Sequence, residues 1–289
     1  MADRQRSGSG RGMLLISGPL LYAVVMLAAP MAAILVFSFW TQDFLNIDTT
    51  PTWANYREAF SDPIYRELMV RSLKISAMVT AITVLLAFPV AYFISFRVRP
   101  ERKALWIFLV TIPFWTSYLI RVFLWKVILG YNGVLNSALI GLGVIDEPLT
   151  LILYNFNAVV ITLAHAFAPF AILPIFVALE RIDRSLLEAA LDLGETRLSA
   201  FFRVTLPLAM PGVVGACLIV FIPTIGDYVT PRLVGGPGGL MIANMIQTQF
   251  LKLNNAPLGA ALAVIAMGIV TILALVFLAL NRRFLRGRS

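Results

Sequence analysis

One cysteine, Cys217, and one histidine, His165, stand in 289 residues. A single thiol inside an apolar run excludes a disulfide framework and a cysteine-based zinc cluster, and a single imidazole leaves no histidine-ligated metal site. Charge is scarce as well: only 13% of the residues are Asp, Glu, Lys or Arg, against 60% hydrophobic ones. A water-soluble domain of this length needs far more charge to cover its surface. The chain also lacks a G-x-x-x-x-G-K-[ST] loop. The glycines at Gly235, Gly236, Gly238 and Gly239 have no lysine after them and do not cradle a nucleotide. No metal, no cofactor and no catalytic residue is expected.

What is present is long apolar runs. Six are of spanning length: Leu14–Trp40, Ile75–Phe96, Ala104–Leu129, Tyr154–Leu179, Ala209–Val229 and Pro257–Leu280. The first is much longer than the roughly 7–15 apolar residues of a secretory signal core, so it reads as a retained helix. The fold class is an all-α membrane protein with six transmembrane helices. The N-terminal tail (Arg4, Arg6, Arg11), the connection after span two (Arg97, Arg99, Arg102, Lys103), the connection after span four (Arg181, Arg184, Arg197, Arg203) and the C-terminal tail (Arg282, Arg283, Arg286, Arg288) hold fifteen basic residues. The opposite side holds four, Arg57, Arg66, Arg232 and Lys252. Basic loops stay inside, so both termini are expected in the cytoplasm. The net charge of +8 then reports orientation in the bilayer, and no nucleic acid is implied. The expected layout is a cytoplasmic tail 1–13, a six-helix domain 14–282 and a cytoplasmic tail 283–289. Pro30, Pro89, Pro113, Pro169, Pro174 and Pro223 interrupt the spans, as kinks in packing or parts of a gate.

The connection 180–209 is too ordered for a passive linker. Ser185-Leu186-Leu187-Glu188 has the form of a capping box. A helix from it would run to Leu193 and end at Gly194 in a left-handed conformation. Thr196 is placed to cap a second short helix, expected to stop before Pro207. Leu186, Leu187, Ala190 and Leu193 would form one apolar face. A helix this short is marginal alone in water, so it docks on a partner or lies on the membrane surface.

Glu188-Ala189-Ala190, three residues, Gly194, nine residues, then Val204-Thr205-Leu206-Pro207 resembles the EAA motif of permease subunits of bacterial ATP-binding-cassette importers. The one departure is valine where that pattern has isoleucine. The resemblance implies a type I importer transmembrane domain in the inner membrane, with Ser185, Glu188, Ala189, Ala190, Gly194, Leu206 and Pro207 in a loop that inserts into a partner ATPase. It further implies two ATPase copies, a second permease subunit (a heterodimer), a periplasmic substrate-binding protein, and no ATP hydrolysis by this chain.

Two more stretches are similar to a narrower group, the spermidine/putrescine-type permeases. One is Pro113 through Arg121, followed by Trp125, Gly130 and Gly133. The other is Pro223 through Gly236, with Asp227, Tyr228, Pro231, Leu233 and Gly235, leading into Met241-Ile242-Ala243-Asn244. That group usually carries glutamate where Asp227 stands, and relatives with the same pattern carry other small charged solutes such as opines. On straight helices Arg121 and Asp227 would lie roughly 25 and roughly 27 Å from the inner ends of their spans. An intramembrane charge marks a functional site by default. Asp227 is therefore a candidate for a cationic cargo, with Trp115, Tyr118, Trp125 and Tyr228 as cation–π partners. The competing assignments are a structural Arg121–Asp227 ion pair and an interfacial aromatic belt. His165 reads as a buried packing residue. A stand-alone secondary transporter would need an ion-coupling site at the midplane, where this chain has almost no ionisable residue. An intramembrane protease would need His165 as the base for a serine in a recognisable setting, and none is present.

Overall fold

The computed structural model describes residues 6–44 and 46–285, with side chains from residue 16 to residue 284. The tail residues Arg4, Arg286 and Arg288 counted above lie outside the described residues. The chain order is α1 Arg6–Phe37, β1 Thr41–Asp43, β2 Asn46–Asp48, α2 Ala54–Ser61, α3 Pro63–Phe96, α4 Pro100–Thr111, α5 Tyr118–Ile128, α6 Val134–Gly141, α7 Phe156–Glu180, α8 Arg184–Asp192, α9 Arg197–Ala200, α10 Leu206–Ile225, α11 Gly236–Gly239, α12 Ile242–Leu251, α13 Ala256–Leu280 and α14 Arg282–Leu285.

Among the described residues, five helices are long and apolar enough to cross a bilayer: Ile16–Phe37 within α1, α3, α7, the continuous Arg197–Ile225, and α13. These match five of the expected spans, although α1 extends back to Arg6 and α3 begins at Pro63, well before Ile75. The third expected span, Ala104–Leu129, is present as a broken helix pair rather than a straight helix. Pro100–Trp115 and Tyr118–Ile128 form a pair bent by 86°. Thr116 (φ −98°, ψ 147°) and Ser117 (φ −55°, ψ 136°) are extended, and no proline occupies either position. Pro113, which lacks an N–H, opens the tight turn ahead of the break, and the Thr116 amide and hydroxyl both donate back to its carbonyl. The other five prolines lie inside helices that continue through them.

The chain separates into two compact units. One comprises residues 63–245 and 267–289. Its core is α3, α7 and α10 packed on one another through Ile75, Val79 and Ala91, Leu163 and Ile175, and Ala209 and Ala216. Lipid supplies no hydrophobic drive between helices, so close approach of small residues carries the packing. Gly212 shows how close: an added Cβ would sit 2.5 Å from the Ala178 Cβ and 2.5 Å from the Pro174 carbonyl oxygen. Gly212→Val is expected to destabilise the α7–α10 pair by about 1–3 kcal/mol, as overpacking does, read as a lowered melting temperature in detergent. Gly215→Ala, whose Cβ meets nothing within 4 Å, is expected to leave that temperature unchanged.

The other unit, residues 1–62 and 246–266, gathers α1, the β1–β2 hairpin, α2 and the facing parts of α12 and α13. Asn55 donates to the carbonyls of Ser38 (3.0 Å) and Trp40 (2.6 Å). Phe39, Trp53 and Tyr56 cluster with ring centroids 5.0–5.4 Å apart. None of the apolar window of α1 is buried.

Candidate functional site

The basic connection after α7 is built as the sequence leads one to expect, with three corrections. The first is the cap. Asp183, not Ser185, starts α8, its Oδ1 accepting from the Ser185 amide at 3.0 Å. Ser185 lies inside the first turn, one residue past Arg184, where its hydroxyl is no cap. The second concerns the apolar face. Leu187 packs against the core and Ala190 is buried, while Leu186 (47% exposed) and Leu193 (86%) point outward. The third is the end of the loop. The helix after Thr196 does not stop before Pro207. A π-helical turn, Phe201–Thr205, carries it into α10 with Leu206 and Pro207 in helical backbone. The wider turn absorbs the missing proline N–H and the crowding of the residue before it.

The expected stop at Gly194 is present. Its φ is +89°, and two bonds close a Schellman motif: Gly194 N–H to the Leu191 carbonyl (2.9 Å) and Glu195 N–H to the Ala190 carbonyl (3.1 Å). Thr196 caps α9, accepting from the Ser199 amide at 3.2 Å. Glu188 and Ala189 are exposed, as are Leu193, Leu198 and Phe202. The result is a short, stiff turn-bounded helix with an acidic residue and uncovered apolar side chains.

The cap is pH-sensitive. The Ser185 amide, with a smaller contribution from its side chain, holds the Asp183 carboxyl below its ordinary value of 3.8. A depressed carboxylate contributes stability that is complete above the ordinary value and is lost as pH falls through the folded one. Amide exchange in the first turn of α8 is therefore expected to accelerate as pH falls below the ordinary carboxyl value of 3.8, beyond the intrinsic pH dependence. Asp183→Ala is expected to show fast exchange throughout.

The second constellation surrounds a cleft of about 420 Å³ lined by Phe114, Thr116, Tyr118, Arg121, Ala166, Phe167, Phe170, Pro223 and Asp227. The break between α4 and α5 and the end of α10 meet here, so the straight-helix depths expected for Arg121 and Asp227 do not apply. The Tyr118 hydroxyl donates to Asp227 Oδ2 at 2.6 Å and lies 2.8 Å from Thr230 Oγ1. Asp227 Oδ1 accepts from the amides of Val229 (2.9 Å) and Thr230 (3.4 Å), holding the turn after α10.

Arg121 and Asp227 line one cleft but form no ion pair within 4.0 Å, so the structural pair that competed with the cargo assignment is absent. The guanidinium, 9% exposed, donates to the carbonyls of Thr116 (3.2 Å) and Ala166 (3.5 Å), and its Nε has no partner. Its Cζ lies 6.0 Å from the Phe114 ring centre. Of the six residues singled out, the cleft brings together Tyr118, Arg121 and Asp227. Trp115 is 77% exposed, Tyr228 is half-exposed with its carbonyl accepting from Asn244, and Trp125 donates to His165 Nδ1 at 3.1 Å. His165 is exposed in this chain rather than buried. Phe167 and Phe170 flank Pro169 on α7 and carry no signal in the sequence, because the residues they face come from other helices.

The family described as binding-protein-dependent transport system inner membrane component matches residues 20–286. The chain belongs to that family. The spermidine/putrescine transport system permease protein PotB of Haemophilus influenzae is 38% identical over 255 residues, covering 88% of this chain and 87% of the relative. Its Escherichia coli counterpart is 36% identical over 257 residues, 89% and 92%. Among solved structures, a bacterial alginate ABC transporter in complex with an alginate pentasaccharide-bound periplasmic protein has a chain that superposes with a TM-score of 0.73 at 18% identity, covering 98% of this chain and 97% of that one. The fold is that of a type I ATP-binding-cassette importer permease. This inner-membrane component is a non-catalytic permease subunit.

Proposed function

We propose that this inner-membrane component forms half of the translocation pathway for spermidine, putrescine or a closely related polycation, and that α8 docks into a separate ATPase. The similarity to two spermidine/putrescine permeases over almost the whole chain carries the cargo assignment. The Asp227 carboxylate in an aromatic-walled cleft agrees with it, because a carboxylate and ring faces are what an ammonium group binds. The coupling assignment rests on the EAA spacing and on the outward Glu188, Ala189 and Leu193. Two ATPase copies, a second and different permease, and a periplasmic binding protein complete the importer, with Ser185, Ala190, Gly194, Leu206 and Pro207 shaping the docking loop. The basic-residue asymmetry puts both termini in the cytoplasm.

One observation favours a second cargo class. The partly unpaired Arg121 guanidinium faces the same cleft, and it suits a solute bearing a carboxylate besides its ammonium, such as an amino acid or an opine. Labelled spermidine and putrescine uptake in the native host, wild type against a deletion, tests the proposal. Loss on deletion supports the polyamine cargo. Uptake unchanged with no redundant importer running overturns it and favours the amphoteric solute.

A further inference from the structure

In the sequence Arg184 is one of the basic residues that set orientation. In the fold it is the first residue of α8, and its side chain leaves that helix to end another. Its Nη2 donates to the Ser95 carbonyl at 3.0 Å and lies 3.1 Å from the Ser95 hydroxyl. Ser95 is in the last turn of α3, where carbonyls have no intrahelical donor and the helix dipole is negative. The Arg184 Cζ also lies 3.7 Å from the centre of the Phe96 ring. A guanidinium thus caps α3 from outside, by hydrogen bond, by charge and by stacking.

Glu180, the last residue of α7, ties the cap to a fourth element. Its Oε1 accepts from the Ser95 hydroxyl at 2.6 Å and from Lys103 Nζ at 2.7 Å, and Arg184 Nη2 reaches it at 3.4 Å. Its second oxygen accepts from Lys103 at 2.9 Å. Lys103 belongs to α4. One carboxylate therefore joins the ends of α3 and α7 to the starts of α4 and α8. The side chains of Lys103, Glu180 and Arg184 are 19%, 32% and 40% exposed. Isolated surface ion pairs add little, but this carboxylate is shared among three donors from different elements, so its bonds fix geometry.

We propose that Glu180 and Arg184 are positioning residues that clamp α8 to the inner ends of α3 and α4, so that displacement of α8 moves those helices. The proposal rests on the reading of α8 as the ATPase-docking helix. Without the clamp, α8 would yield alone while the spans stay still, and hydrolysis would run without import.

The test uses the complete importer in proteoliposomes, with labelled spermidine as cargo. Glu180→Gln keeps the size of the side chain and removes its charge. It is expected to lower spermidine imported per ATP hydrolysed by roughly fivefold, the scale of a few weakened charge-assisted bonds, with complex recovery and ATPase rate at wild-type values. Lys103→Gln, which spares the Ser95 and Arg184 bonds, is expected to give a smaller loss and serves as the second variant should Glu180→Gln lower recovery. Spin labels at Ala189→Cys and Arg99→Cys supply a readout independent of cargo: their separation is expected to broaden in Glu180→Gln. An unchanged import-to-hydrolysis ratio together with an unchanged separation overturns the clamp. A background complex in which Leu193→Cys forms no cross-link to the ATPase overturns the docking reading, and the clamp with it.

Discussion

Gly194→Val is expected to abolish most import while leaving the protein inserted and abundant. The backbone at Gly194 has φ +89°, a region costing a residue with a Cβ about 1–3 kcal/mol and most disfavoured for β-branched side chains. Space is not the obstacle, because a Cβ there meets nothing within 4 Å. The strain therefore falls on the turn alone, on the two Schellman bonds that stop α8 and aim Glu195 and Thr196 toward α9. A nine-residue helix is marginal by itself, and one or two kcal/mol shifts such an equilibrium by roughly 5- to 30-fold. Uptake at equal membrane levels is accordingly expected to fall by about tenfold in Gly194→Val. Gly194→Ala should lie between valine and wild type, and Gly194→Asn closest to wild type, since asparagine tolerates left-handed backbone best. Recovery of the ATPase with the permease should decline in the same order. Full uptake by the valine variant would remove α8 from the coupling path.

The stop at Gly194 and the cap at Thr196 were legible in the sequence because both are local, each residue acting on its own stretch of backbone. What stayed hidden depended on contacts across the sequence or on close competition between neighbours. Asp183 and Ser185 are both good cap residues two positions apart, and only the start of the helix decides between them. The six spans were legible from hydropathy, yet the 86° break falls at Thr116 and Ser117, which carry no breaker signal, three and four residues beyond the proline that does. Leu206-Pro207 reads as a helix stop, but a π turn carries the chain through. The Arg184 clamp was invisible because Ser95 lies 89 positions away. Tyr118 and Asp227, 109 apart, were singled out separately, whereas their hydrogen bond and the phenylalanine walls follow only from the packing of α7 against the broken pair.

The cleft offers the second large effect, and the hydrogen bonds around Asp227 make a clean experiment of it. Asp227→Asn keeps an Oδ1 acceptor for the Val229 and Thr230 amides, so the turn after α10 retains its cap. The new amide can donate to the Tyr118 oxygen, whose own hydrogen then turns to Thr230 Oγ1, 2.8 Å away. Every bond at the site survives and only the charge is removed. A hydrogen bond to a charged group contributes about 1.5–3 kcal/mol, so polyamine uptake is expected to fall by about tenfold or more, with assembly intact. Tyr118→Phe leaves the carboxylate one neutral donor short and is expected to cost a few-fold at most. Arg121→Gln then separates the two cargo classes by sign. For a polycation the guanidinium is a repulsive neighbour, and its removal should hold or raise uptake. For a solute with a carboxylate it is the anchor, and its removal should abolish uptake. Asp227→Asn protein that no longer assembles would make the carboxylate a structural cap, and cargo recognition would then have to reside in the second permease or in the binding protein.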